Sequence, residues 1–196
     1  MIGDRATFDA LRGAVRLILG DRAGLAAMDT SIAGFWASFA AMAILAPAVL
    51  VTVTMELAAL GEAYPAGTGP GTGAMVASAV LTYVLGWIAF PAMLAVLARP
   101  LGLGRVFVPW MVARNWTTVP ASLPYVAVLA LWGLGLLSRQ ALGGATLAAL
   151  GFSLFCGWRV ARLAGGQAPM AAVGFTLLDF LLGVAIEVSL DRLFDT

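Results

Sequence analysis

Between Ile32 and Leu190 the chain repeats one pattern five times: an apolar run of about twenty residues, closed by charge, glycine or proline. Runs of that length match the roughly 30 Å hydrocarbon thickness that a helix of about 20 residues spans. The five spans are predicted at 32–57, 74–97, 121–137, 140–158 and 170–190. Sequestering so many apolar runs in a water-soluble fold of 196 residues is not feasible. Hydrophobic residues make up 62% of the chain and charged residues 11%, against roughly 45–50% apolar and 25% charged in soluble domains. The fold class predicted is all-α, a polytopic transmembrane helical bundle. Residues 1–30 form a cytoplasmic amphipathic segment, and 31–196 form one transmembrane domain.

Within 1–30, Phe8, Leu11, Val15 and Ile18 fall at helical spacing beside a stripe of Arg5, Asp9, Arg12 and Arg16. Such a helix suits either a membrane surface or the cytoplasmic ends of the bundle. Asp29, Thr30 and Ser31 give a cap signal for the first span. About thirty arginine-bearing residues precede that span, which predicts an uncleaved first helix rather than a signal peptide. Residues 61–73 are rich in Gly and Pro but lack the Lys-Ser/Thr of a phosphate-binding loop, and so predict a plain connection.

Residues 106–117 are predicted as a short interfacial or partly inserted helix before the third span. Pro109, Pro120 and Pro124 argue against one straight helix there. Pro47 and Pro91 interrupt the first two spans, the second being expected to kink.

Under five spans, nine arginines share one side: four before the first span, then Arg99, Arg105, Arg114, Arg159 and Arg162. Only Arg139 and Arg192 face the other side, so the N-terminus is predicted cytoplasmic and the C-terminus outside. Trp36, Trp110 and Trp158 would mark the inner interface and Trp132 the outer one. Lysine is absent and Ala and Gly abound, a codon bias pointing to a bacterial inner membrane.

Chemistry is narrowed by what is missing. The chain has no histidine, and Cys156 is its one cysteine. Disulfides, Cys/His metal centres and histidine acid–base catalysis are therefore excluded. Neither Gly-x-Ser-x-Gly nor HExxH occurs. No catalytic residue, metal or cofactor is predicted. A net charge of +1 without a basic run excludes a nucleic-acid footprint.

The candidate polar site lies inside the membrane. Asp179 sits midway along the fifth span, with Glu187 on the same face and Asp191 at its end. An intramembrane acid must be paired, protonated or wetted. One reading is a proton or cation relay, with Glu56 of the first span as a neighbour. The other is an ion pair with Arg114, beside Asn115 in the proline-flanked segment. Arg114, Asn115 and Arg105 could alternatively form an anion or headgroup site. Arg12, Arg16, Trp158, Arg159 and Arg162 are lipid-anchor candidates, so membrane lipids are expected partners. Ala141, Ala145, Ala149, Ser153, Gly157 and Ala161 form a small-residue ridge on the fourth span. It could pack inside the bundle, against a second copy or against another membrane protein. Ala74, Ser78, Thr82 and Gly86 form a second ridge, and Ala33, Ala37 and Ala41 begin a third.

The order of parts resembles bacterial members of the Yip1-like membrane family: an amphipathic start, the loop ILGDRAGLAAMD, then five spans with compact loops. The Asp-Leu-Tyr-Gly-Pro motif of eukaryotic members does not occur, so no functional residue carries over. The resemblance implies a non-enzymatic role in membrane organisation, trafficking or partner binding. A small proton- or cation-coupled transporter is the competing function.

Overall fold

The computed structural model describes residues 4–63 and 71–194, and among these it is all-α. In order come α1 (Asp4–Ile18), a 3-10 turn (Arg22–Ala27), α2 (Ile32–Ser38), α3 (Ala40–Ala63), α4 (Thr72–Ala98), α5 (Gly104–Gly133), α6 (Arg139–Leu163) and α7 (Pro169–Phe194). Among the described residues four stretches are long and apolar enough to cross a membrane: Ile32–Met55, Thr72–Ala98, Arg139–Leu163 and Pro169–Phe194. The connection expected over 61–73 lies largely outside the described residues.

α5 corrects the expectation of a short helix followed by a separate span. It is one helix of 30 residues carrying Pro109, Pro120 and Pro124. Each proline removes one ladder bond, but α5 is packed on by α1, α2, α3, α4 and α6, and that packing holds its course. Hydroxyls also bond the backbone here: Thr118 donates to the Arg114 carbonyl at 2.9 Å, and Ser122 to that of Thr118. Proline in such helices is tolerated where neighbours and hydroxyls serve the backbone. The same polar residues dilute its apolar character, which is why α5 is not among the four apolar stretches.

The first span is broken where the sequence offers no proline. Ser38 donates to the Phe35 carbonyl at 2.7 Å and accepts from Asn115 Nδ2 of α5 at 2.9 Å. A side chain bonded into the ladder disturbs a helix in this way, and Phe39 separates α2 from α3. Ser31 caps α2 by accepting from Gly34 N at 3.1 Å, as the Asp-Thr-Ser signal predicts. The buried small-residue face is Gly34, Ser38 and Ala41, so only Ala41 of the expected ridge lies in the core.

α1 docks on α5 and α6, and of the predicted stripe Leu11 packs against the core while Phe8 and Val15 do not. Ala10, Ala14 and Leu17 are buried, while Phe8 is 66% exposed and Val15 44%. Toward the 3-10 turn α1 is pressed closely: a Cβ on Gly13 would lie 2.4 Å from the Gly24 carbonyl oxygen. Asp21 ties the turn by accepting from Arg16 Nε at 2.8 Å, Arg16 Nη2 at 2.6 Å and Ala23 N at 2.9 Å. The Arg16 hydrogen bond, foremost, and that of Ala23 hold the Asp21 carboxyl below its ordinary pKa. Ser31 does the same for Asp29.

At this end of the bundle the core is aromatic. Trp110 packs edge-on between Phe90, 6.3 Å away, and Phe175, 5.1 Å away. It is therefore a core residue, not the interfacial belt residue predicted from its neighbouring arginines. Trp87, Leu94, Met111 and Val112 complete the same core.

Candidate functional site

Arg114 and Asp179 each stand ten residues from the start of their helix, so about 15 Å along it by the rise per residue. That common depth lets them meet. Arg114 Nε donates to Asp179 Oδ2 at 2.8 Å and Nη2 to Oδ1 at 2.7 Å, the two-pronged geometry that a guanidinium and a carboxylate favour. The Arg114 Cζ lies 5.3 Å from the Phe90 ring centroid, adding a cation–π contact. The side chains retain 16% and 31% of their exposure.

Arg114 is thus a residue within α5 and not one of the loop arginines of the positive side. Asn115 points to the opposite partner set: it is fully buried and bonded to Ser38, with only a 3.5 Å contact from Arg114 Nη1. Arg105 is exposed in the first turn of α5, so the alternative anion site of Arg114, Asn115 and Arg105 is not assembled. The Glu56 side chain lies outside the described residues.

Main packing partners of α7 are α4 and α6, and the Arg114–Asp179 pair bridges the remaining space to α5. On one side of the pair is a cavity of about 100 Å³ reached by Thr117, Ser153, Cys156 and Thr176. Thr117 is 3% exposed and its hydroxyl has no partner among the described residues. A cavity that size admits water. On the other side open two crevices of about 400 and 490 Å³. The first runs along Thr82, Gly86, Thr118, Ser153, Asp179 and Gly183 to Glu187, and the second from Glu187 past Ser78, Thr82 and Tyr125 to Asp191. Together they form one largely apolar cleft with a polar stripe, running from the ion pair to the C-terminal end of α7.

Its walls are the small-residue ridges. On α4, Ser78 donates to Asp191 Oδ1 at 2.9 Å, Thr82 lines both crevices, and Tyr83 donates to the Met42 carbonyl of α3. On α6, Ala149 and Ala161 are buried, and a Cβ on Gly157 would stand 3.2 Å from Thr176 Cγ2 of α7. That part of the fourth-span ridge packs within the monomer. Asp179, Gly183, Glu187 and Asp191 follow one face of α7, as their spacing predicts. Among the described residues Glu187 has no hydrogen-bond or ion-pair partner.

The sequence reading missed Ser38 as the partner of Asn115, and Ser78 and Thr82 as cleft walls. A hydroxyl inside a small-residue ridge was the available signal, and it reads equally as packing. The lipid-anchor candidates cluster around the α1 end: Arg12 is exposed, Arg16 is spent on Asp21, Trp158 Nε1 donates to the Pro169 carbonyl at 3.3 Å, and Arg162 Nη1 to that of Gln167 at 2.7 Å. Arg159 has its guanidinium 5.2 Å from the Phe155 ring centroid. No protein-family model, curated protein or solved structure matches the chain.

Proposed function

We propose that this chain is a five-span, non-enzymatic protein of a bacterial inner membrane, Yip1-like in layout, which binds a lipid or another membrane protein in its cleft. α5 is taken as the additional span, lying third in chain order. The end of the bundle carrying α1 is cytoplasmic and the C-terminus is outside, because Arg5, Arg12, Arg16, Arg22, Arg99, Arg105, Arg159 and Arg162 gather at that end.

The observation that carries the binding reading is the bidentate Arg114–Asp179 pair. Both oxygens of the one mid-helix acid of α7 are engaged, and the aromatic core lies between the pair and the α1 end. A cleft with a closed floor receives a ligand from one side. A relay needs a carboxyl that exchanges its proton or cation with both sides.

The competing reading, a small proton- or cation-coupled transporter, draws on Glu187 and Asp191 along the same cleft. Labelling in native membranes with a hydrophobic carbodiimide, mapped by mass spectrometry with Asp179→Asn as control, separates the two. Modified Glu187 with inert Asp179 is the expected result. Selective modification of Asp179 would overturn the closed floor and favour transport.

A further inference from the structure

Arg159 stands out from the other arginines at the α1 end. Its guanidinium does not extend outward but lies against the turn that ends α1. There Gly20 has φ +98°, and a Cβ on it would come within 2.8 Å of Arg159 Nη1 and 3.1 Å of Nη2. The Phe155 ring, 5.2 Å from Cζ, holds the same group. Among the described residues no oxygen accepts a hydrogen bond from Arg159, and its Nε is buried without a partner. The carboxylate of the same turn is already committed: Asp21 Oδ2 takes both Arg16 donors and Oδ1 takes Ala23 N. Arg22, exposed in that turn, adds a further positive charge.

Arg159 Nε is sealed from solvent, so the donors left to this guanidinium for an anion are Nη1 and Nη2, held in place by the Gly20 turn and the Phe155 ring. Its planar fork matches two oxygens of a phosphate. Gly20 is what allows it to sit there, since any side chain would displace it and the backbone conformation favours glycine.

We propose that Arg159, seated on the Gly20 turn with Arg22 nearby in sequence, is a phosphate site at the α1 end of the bundle, filled by the headgroup of an anionic phospholipid or by free phosphate. Bilayer leaflets rich in anionic lipid would supply the former at high local concentration. The site is separate from the cleft and does not depend on the cleft's function.

Thermal unfolding of the full chain in mild detergent tests it, with dioctanoyl phosphatidylglycerol and sodium phosphate as probes, each against chloride at matched ionic strength. Saturable stabilisation by a probe, abolished in Arg159→Gln and kept in the Arg139→Gln control, is expected. Stabilisation by the lipid alone identifies a headgroup site, and equal stabilisation by phosphate identifies a free-anion site. Should Arg159→Gln not fold, Arg159→Lys keeps the charge but loses the fork, and half-saturation should move by about tenfold or more. No stabilisation by either probe, or stabilisation undiminished in both Arg159 variants, overturns the proposal.

Discussion

Replacing Asp179 by Asn leaves a guanidinium inside the bundle facing a neutral amide. Breaking a fully buried ion pair from one side costs about 3–5 kcal/mol. Here the side chains keep 16% and 31% exposure to the cleft, and screening there lowers the figure to about 2–3 kcal/mol. At 2–4 °C per kcal/mol for a chain of this size, Asp179→Asn should lower the midpoint of thermal unfolding in detergent by roughly 5–10 °C. Arg114→Met alone should cost a similar amount. The apolar double variant Arg114→Met/Asp179→Leu removes both charges together and should return to within about 1 kcal/mol of the parent, since a buried pair and its apolar replacement are often near equal in stability. The double-mutant cycle closed with Asp179→Leu as the single variant then yields a coupling of about 3–6 kcal/mol, the two single losses less the small residual of the double variant. Additive losses, or an Asp179→Asn midpoint unchanged from the parent, would refute the view that the pair closes the floor of the cleft.

Ser38→Ala removes the acceptor of the fully buried Asn115 amide, and thermal unfolding should show a loss of about 1–3 kcal/mol. Gly34→Ala should abolish accumulation of folded protein, because its Cβ would meet the Asp29 carbonyl oxygen at 1.9 Å, whereas Gly183→Ala, with nothing within 4 Å, should be neutral in the same expression and gel-filtration assay. Asp21 and Asp29 have lowered pKa values in the folded chain, so the folded state binds fewer protons than the unfolded one. Their contribution is complete above the ordinary value of 3.8 and is lost as the pH falls through the lower folded values. Limited proteolysis of the α1 segment should accordingly accelerate only below that range, and Asp21→Asn should remove part of the pH dependence.

The helices were legible because apolar length is a strong signal that proline and glycine merely punctuate. The α4, α6 and α7 boundaries fall within a few residues of those predicted. α5 was not legible for the same reason in reverse. Pro109, Pro120 and Pro124 are local signals for a break, and the five elements packed on α5 that override them are tertiary. The ion pair was legible because an intramembrane Asp and a proline-flanked Arg each need a partner and few were available. The buried side of α1 was not. Phe8 and Val15 are the stronger apolar signal, yet Ala10, Ala14 and Leu17 are the buried positions, and Gly13 is pressed against Gly24 of the 3-10 turn; which face docks depends on those tertiary neighbours. The cleft was half legible: the acidic face of α7 follows from spacing, and its opposite wall depends on which ridges meet.

That last point gives small residues two roles in one bundle. Where helices are pressed together, as at Gly157 against Thr176 or Gly13 against Gly24, a missing side chain allows contact. Toward the C-terminal end of α7, Ser78, Thr82, Gly86 and Gly183 line open space instead, because no packed helix fills the volume between α5 and α7 there. Phe90, Trp110 and Phe175 pack against one another on the α1 side of the ion pair, while Tyr83, Tyr125 and Phe180 line the crevices without closing them. Without a hydrophobic driving force between helices in lipid, a gap is not closed by collapse as it would be in water. It stays open unless side chains are large enough to bridge it, and here the bridge is one arginine and one aspartate.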